Sequence, residues 1–455
     1  MNLCKMSKNI KSPQENTGTA LTASILNKFE ITALNPMQEE AGKAIQQKTD
    51  VVLLSPTGTG KTLAFVLPLL ETLDINCAEI QLLILVPSRE LAQQIEQVIR
   101  KMGSGFKVNA VYGGRAGALD KVDLKHRPAV LIGTPGRVAD RLRRDKFSLD
   151  YIDTLILDEY DKSLEIGFEK EMTEIIDTLP NVGQRILTSA TSDVKIPDFV
   201  GLQKPVYVNY LQEVSSQLTI KTILSPEKDK LNTLVKALAF IGNQPGIIFC
   251  NFKEALERVS DFLNKNKIQH VCFHGGMEQM DREQSLIKFR NGTTQLLLAT
   301  DLAARGLDIP EIKFILHYHL PLRNKEFIHR NGRTARMNRD GIAYILHWKE
   351  EELPDFIQEI APEKLTIENQ QIATLPAPAK WSTLYITGGR RDKISKGDIA
   401  GLFFKQGGIE KDQLGVIELK QNCTYVAVHT EVSKQLIEKI NNTKLKKKKV
   451  RISII

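Results

Sequence analysis

The chain has 455 residues, too many for one hydrophobic core and enough for two to four domains. Its 42% hydrophobic and 25% charged residues are ordinary for a globular protein, and the apolar runs are strand-length, well short of the roughly 18 residues of a membrane span. The net charge is +8, yet from Lys380 onward 16 Lys/Arg face 7 Asp/Glu, leaving 46 against 47 elsewhere, so one C-terminal region carries the whole excess.

Residues 1–18 are polar and basic without an apolar core, which predicts a disordered tail and no secretory signal. From about Thr22 to Val208 short apolar strands alternate with longer amphipathic segments, the rhythm of a parallel sheet wrapped by helices. The predicted strands are Val51–Leu54, Leu82–Val86, Val108–Val111, Val130–Ile132, Thr154–Leu157 and Arg185–Thr188. The helix after Ser88 carries Leu91, Ile95, Val98 and Ile99 on one face, a core stripe. A polar stretch, "NYLQEVSSQ", interrupts the rhythm. A second series follows: Ile247–Cys250, His270–Phe273, Gln295–Ala299, Phe314–His317 and Ile342–His347. Two α/β domains of similar architecture are therefore expected over 19–210 and 211–365, then a Pro/Ala-rich linker over 366–380. Residues 381–455 read as βαββαβ, a small sandwich of four strands and two helices. The basic excess lies there and predicts docking on a polyanion; a solvated lysine-rich tail around "KLKKKKVR" is the alternative. Five scattered cysteines without a CxxC pair argue against disulfides and structural zinc, and for a reducing, cytoplasmic setting.

"SPTGTGKT", from Ser55 through Pro56, Thr57, Gly58, Thr59, Gly60 and Lys61 to Thr62, joins a predicted buried strand to an apolar helix, the context of a P-loop. The glycines let backbone N–H groups close on phosphate oxygens, and the following helix start favours the anion. Lys61 can reach the β/γ-phosphates and Thr62 can offer a hydroxyl to Mg²⁺. Ser55 stands where the strict pattern has glycine. Asp158, after Thr154–Leu157, falls where a P-loop fold needs its second Mg²⁺ partner, held largely through water. Glu159 is suited to polarise a water for in-line attack. Tyr160 is bulky for such a site, but a side chain alternating along a strand can face away from the nucleotide.

Further along come "PSREL" (Pro87–Leu91), "GG" (Gly113-Gly114), "TPGR" (Thr134–Arg137), "DEYD" (Asp158–Asp161) and "SAT" (Ser189–Thr191). The second series adds "IFCN", "HGGMEQMDR", "TDLAARGLD" and "HRNGRTAR". In this order the motifs resemble the DEAD-box RNA helicases of superfamily two, over about Leu21 to His347. The resemblance implies two tandem RecA-like domains that hydrolyse ATP. Gln38 would read adenine, its amide both donating and accepting. The family's adenine-stacking aromatic, seven residues before that glutamine, is replaced by Ile31, and the nearest aromatic is Phe29. Arg333 and Arg336 would act as arginine fingers, worth on the order of 10³–10⁵ in rate in other NTPases. Asp308 would touch the ribose, and Asp161, Ser189 and Thr191 would couple hydrolysis to movement. RNA contacts would fall to Arg89, Gly114, Thr134 and Arg137, and to His274, Gly275 and Thr300, a sugar–phosphate track without sequence information. Asn331 and Ala335 replace the more typical Ile and Gly.

"TLYITGGRRDKISKGDIAGLF" and "TYVAVH" resemble one branch of this family, the bacterial DEAD-box protein A (DbpA) group. The resemblance implies an RRM-like fold. Tyr385 and Tyr425 stand where RRM strands carry stacking aromatics, or else are packing residues. Arg390, Arg391, Lys393 and Lys396 would grip a structured RNA. In that group the module binds a hairpin of large-subunit ribosomal RNA. The chain is thus expected to be a monomeric, RNA-stimulated ATP hydrolase that unwinds RNA locally, targeted to assembling large subunits. The alternatives are a general helicase, as in RNA decay, and an ATP-binding RNA clamp that hydrolyses poorly because of Tyr160.

Overall fold

The structure, a computed structural model, describes residues 15–114, 117–145, 148–192, 195–211, 218–301, 312–334, 340–367 and 379–455. The chain divides into two compact units with a boundary near residue 215.

In the first unit seven parallel strands form one sheet. They are β1 (Val51–Leu54), β2 (Leu82–Leu85), β3 (Val108–Val111), β4 (Val130–Gly133), β5 (Thr154–Leu157), β6 (Gln184–Ser189) and β7 (Val206–Asn209). Their order is β3-β4-β2-β5-β6-β1-β7. Strand β1 is a short apolar run buried on both faces: Val51 and Leu53 enter one core, Val52 and Leu54 the other. Helices α1 (Glu15–Lys28), α2 (Pro36–Gln46), α3 (Lys61–Leu70), α4 (Arg89–Met102), α5 (Gly117–Asp123), α6 (Pro135–Arg144), α7 (Tyr160–Ile166) and α8 (Glu169–Thr178) accompany the sheet. In α4 the expected stripe is buried through Leu91, Ile95 and Ile99, with Ala92 and Met102 completing it. Ser88 caps its start by accepting from Leu91 N, and Gly103 ends it in the left-handed region.

Two expectations change here. Helix α1 begins at Glu15, inside the stretch read as a disordered tail, and residues 1–14 lie outside the described residues. Its end is fixed by Lys28 Nζ donating to Met102 O at 2.8 Å and by Lys101 lying over the Phe29 ring at 4.4 Å. Strand β7 was not predicted. As an edge strand it buries only Val208 fully, which halves its apolar signal.

The second unit contains a second parallel sheet. Its strands are β8 (Leu218–Ser225), β9 (Gly246–Phe249), β10 (Val271–Phe273), β11 (Leu296–Ala299), β12 (Phe314–His317), β13 (Gly341–Trp348) and β14 (Glu363–Leu365), in the order β10-β11-β9-β12-β13-β8-β14. Helices α9 (Leu231–Ile241), α10 (Lys253–Lys265), α11 (Gln279–Arg290), α12 (Asn324–Asn331) and α13 (Asp355–Gln358) connect them. β8 and β14, both unpredicted, interleave polar residues or are too short to show a pattern.

After the linker, of which 368–378 lie outside the described residues, the predicted βαββαβ module is present. Strands β15 (Trp381–Ile386), β16 (Leu414–Leu419), β17 (Thr424–His429) and β20 (Ile452–Ile454) form an antiparallel sheet in the order β16-β17-β15-β20. Helices α14 (Lys396–Leu402) and α15 (Thr430–Ile440) seal one face over Leu384, Ile386, Val426 and Val428. The lysine-rich segment, read alternatively as a solvated tail, instead forms a hairpin of β18 (Lys444–Leu445) and β19 (Lys448–Lys449), after which Val450 is fully buried. The other face of the sheet lies on the end of α11. Thr383 meets Asn291 at 3.1 Å and Thr293 at 2.6 Å, Glu418 pairs with Arg290 at 3.1 Å, and Lys420 pairs with Glu283 at 2.5 Å.

Candidate nucleotide and RNA site

The strand order of the first sheet sets the motifs along its carboxyl edge, where open α/β sheets bind ligands. Across that edge come Gly113-Gly114 after β3, Thr134–Arg137 after β4, Arg89 after β2, Asp158-Glu159 after β5, Ser189–Thr191 at the end of β6 and the P-loop after β1. The motifs expected to track RNA occupy three adjacent strands at one end. Those expected to handle nucleotide, with the coupling motif Ser189–Thr191 between them, occupy the next three.

At the P-loop, Gly58 and Gly60 have φ of 85° and 87°, and a Cβ on Gly60 would land on the Gln38 side-chain nitrogen. Ser55, in place of the usual glycine, is fully buried and donates its hydroxyl to Thr59 Oγ1 at 2.8 Å, bracing the loop. Thr59 donates in turn to Pro56 O, and Thr57 lies at the loop tip, in the turn before Gly58. Lys61 folds back onto the loop, donating to Ser55 O at 2.5 Å and Pro56 O at 2.9 Å. Burial lowers its pKa to about 8, against the opposing pull of Glu159 and Asp158. Thr62 follows in the first turn of α3. Gln38 accepts from Asn35 N at 3.0 Å in a capping box and donates to Gly60 O at 3.3 Å, which ties α2 to the phosphate loop. Phe29 packs at the edge of the core with Lys101 on its ring.

Asp158 is 3% exposed, and burial followed by the charge of Glu159 raises its pKa to about 6. Thr188, on β6, donates to Asp158 Oδ1 and accepts from Glu159 N at 3.2 Å. Glu159 sits at φ 50°, a left-handed conformation that turns the chain from β5 into α7. Its carboxylate pairs at 2.8 Å with Lys162, whose side chain is fully buried. Asp161 is buried beside them. Tyr160 does not lie on the strand, as expected, but opens α7. It is 3% exposed and packs into the apolar cluster of Leu157, Leu187 and Leu164, where burial raises its hydroxyl pKa to about 12. Ser189 is buried, donates to Thr191 O at 2.8 Å and accepts from Thr191 N, while Ser189 O receives Ser55 N.

Among the RNA candidates, Arg89 lies against Gly113 and Gly114, where a Cβ on Gly114 would strike its guanidinium. Arg137 is held by the buried carboxylate of Asp120 at 2.6 Å, and Thr134 is the residue before α6, anchored by its N–H to Val111 O. In the second unit His274 and Gly275 follow β10, with His274 Nδ1 accepting from Gly276 N, and Thr300 follows β11. Arg333 is 5% exposed just past α12. Asp308 and Arg336 lie outside the described residues. Arg330, which sequence reasoning passed over, is 1% exposed; it pairs with both oxygens of Asp301 at 2.6 Å and reaches Asn251 at 2.7 Å. The unusual Asn331 has a partner in His317 at 2.9 Å, and burial lowers the pKa of that histidine to about 3, so it is neutral. In the C-terminal module Arg390, Arg391, Lys393 and Lys396 are all exposed. Ion pairs of Asp392 with Lys448 and Asp398 with Lys446 join their loop to the lysine hairpin in one basic surface. Tyr425 is 2% exposed and packs with Tyr385 at 5.5 Å, so it is the packing residue of the two readings; Tyr385 stays half-buried.

Thr188, Lys162, Arg330 and Asp120 are the side chains that sequence reasoning missed. The first three sit within or next to "SAT", "DEYD" and "HRNGRTAR"; the partners of Thr188 and Arg330 lie about 30 residues away in sequence, whereas Lys162 pairs with Glu159 one helical turn before it.

Family models agree with this geometry: DEAD/DEAH box helicase matches residues 35–199, helicase conserved C-terminal domain 229–338, and DbpA RNA binding domain 383–454. The chain is 32% identical to "ATP-dependent RNA helicase DbpA" of Escherichia coli K12, over 94% of this chain and 96% of that one. It is 30% identical to the Bacillus subtilis protein of the same name, over 92% and 94%. Among solved structures, Mss116p bound to single-stranded RNA and AMP-PNP aligns with a TM-score of 0.67 and 26% identity, over 77% of this chain and 78% of that one. With its ATP site, its two RecA-like sheets and its RNA-binding module, the chain belongs to the DEAD-box ATP-dependent RNA helicases, of the DbpA type.

Proposed function

We propose that this helicase opens short RNA duplexes in large-subunit ribosomal RNA during ribosome assembly, as a cytoplasmic monomer. The observation that carries the reading is the match of residues 383–454 to the DbpA RNA binding domain, together with the exposed basic surface of Arg390, Arg391, Lys393 and Lys396. Phosphate contacts from such a surface give affinity and position, and RNA shape gives the choice of site.

In the proposed cycle Gln38 reads adenine, Phe29 is the candidate aromatic to stack on it, and Lys61 leaves its loop carbonyls for the β/γ-phosphates. The donor set suits Mg²⁺: hard oxygens from Thr62 and Asp158, the latter a buried carboxylate with a second carboxylate, Glu159, beside it. Thr62 and Asp158 would hold the ion largely through water, and it would neutralise phosphate charge. Glu159 orients and deprotonates the attacking water. Arg333 and Arg336 supply positive charge to the transferring phosphoryl group, and Asp308 engages the ribose. Asp161, Ser189 and Thr191 couple turnover to RNA bound by Arg89, Gly114, Thr134, Arg137, His274, Gly275 and Thr300. Tyr160 packed in the core leaves this machinery intact, which favours an engine over a clamp.

The test is competition binding by fluorescence anisotropy. A labelled large-subunit ribosomal RNA hairpin should resist a large excess of random RNA of equal length, and the preference should vanish without residues 380–455. Equal competition would leave a general helicase.

A further inference from the structure

Lys162 is a buried cation without a part in the cycle above. Its side chain is fully buried, and its ammonium lies 2.8 Å from Glu159 Oε2. Taking a lysine head out of water costs several kcal/mol unless a partner compensates. The partner here is the carboxylate assigned to the attacking water. Glu159 itself needs restraint. It occupies the left-handed region at φ 50°, at the junction of β5 and α7, where its backbone is held by Thr188 and by Lys162 N and Ser163 N donating to its carbonyl. Three carboxylates, Asp158, Glu159 and Asp161, are buried in this corner with Lys61, and Lys61 must leave to meet phosphate. Lys162 lies there too, paired with Glu159.

We infer that Lys162 is a positioning residue for hydrolysis: its ammonium holds Glu159 Oε2, which fixes the carboxylate so that Oε1 faces the attacking water. The inference rests on the role proposed for Glu159. No bond is made or broken by Lys162; the water's proton goes to Glu159 and the phosphoryl group to the water oxygen.

The test compares Lys162→Met, which keeps length without charge, with Lys162→Arg, which keeps the charge, and with Glu159→Gln. RNA-stimulated ATPase and binding of a fluorescent AMP-PNP analogue are measured for each full-length protein. Lys162→Met should lower kcat on the order of 10–100-fold, the range in which loss of the outer partner of a metal ligand acts, with nucleotide affinity within about threefold. Lys162→Arg should recover most of kcat. Adding Lys162→Met to Glu159→Gln should lower turnover no further, because residues acting as one unit are not additive. Should Lys162→Met fail to bind nucleotide, Lys162→Gln takes its place in the same comparison. Unchanged kcat in a folded, uncharged variant, or equal losses in Met and Arg variants, would overturn the inference while a dead Glu159→Gln leaves the role of Glu159 standing. An active Glu159→Gln would instead overturn the role on which it rests.

Discussion

Asp158→Asn should make the nucleotide-free protein more stable while abolishing its turnover. The carboxyl is 3% exposed, and its pKa of about 6 is set mainly by burial, then by the charge of Glu159, against help from Thr188, Lys61 and Lys162. The ordinary value is 3.8, so the folded state binds this proton about two units more tightly than the unfolded chain. At 1.36 kcal/mol per unit, ionised Asp158 costs the fold about 3 kcal/mol at pH 7. The sign follows: the cost is absent below pH 4, grows as pH rises, and levels off above pH 6. Asparagine keeps an acceptor for the Thr188 hydroxyl and removes the charge. For a unit of about 200 residues, 1 kcal/mol moves Tm by about 2–4 °C, so the variant should melt roughly 6–12 °C higher at pH 7. The assay is thermal unfolding in EDTA without nucleotide, followed at pH 7 and pH 5. At pH 5 the gap should shrink to about half, because wild-type Asp158 is then mostly protonated. A variant that melts at or below wild type at pH 7, or a gap that ignores pH, would refute the reasoning.

Three more predictions come from the same site and the module. Gly60→Ala places a Cβ on the Gln38 amide at φ 87° and should weaken fluorescent ATP binding at least about tenfold, since the left-handed conformation alone costs about 1–2 kcal/mol. Thr188→Val removes a hydroxyl that serves both Asp158 and Glu159 N; a loss of about 2 kcal/mol should lower Tm by roughly 5 °C and reduce kcat more than nucleotide affinity. Replacing Arg390, Arg391, Lys393 and Lys396 together by glutamine should leave basal ATPase unchanged. It should lower the slope of log affinity against log salt by up to about 3, at about 0.7 per single-strand phosphate contact.

The two large sheets were legible because central parallel strands are short continuous apolar runs, as in Val51–Leu54 and Thr154–Leu157, and because glycine-rich and acidic motifs follow them. Edge strands were not: β7 and β14 bury too little to write a pattern. Lys61 and Asp158 were singled out from local motif chemistry, and Gln38 from the family resemblance. Thr188 and Lys162 were missed because a threonine at a strand end and a lysine in a helix read as ordinary. Only the fold brings Thr188 to Asp158, 30 residues away in sequence, and buries Lys162 against Glu159. Tyr160 was placed on the wrong element because the left-handed turn at Glu159, which starts the helix one residue early, leaves no trace in residue type. The outer sheet face of the module, open in an isolated reading, is partly covered by α11 through contacts of Thr383, Glu418 and Lys420.

The central claim is an RNA-stimulated ATPase directed by its C-terminal module, and steady-state ATP hydrolysis tests it most directly. Turnover is measured for the whole chain with no RNA, with random single-stranded RNA and with large-subunit ribosomal RNA bearing the target hairpin. The account predicts strong stimulation by the ribosomal RNA, weak stimulation by random RNA, and loss of that preference when residues from Lys380 onward are removed. Equal stimulation by both RNAs, or tight ATP binding without turnover on either, would contradict it.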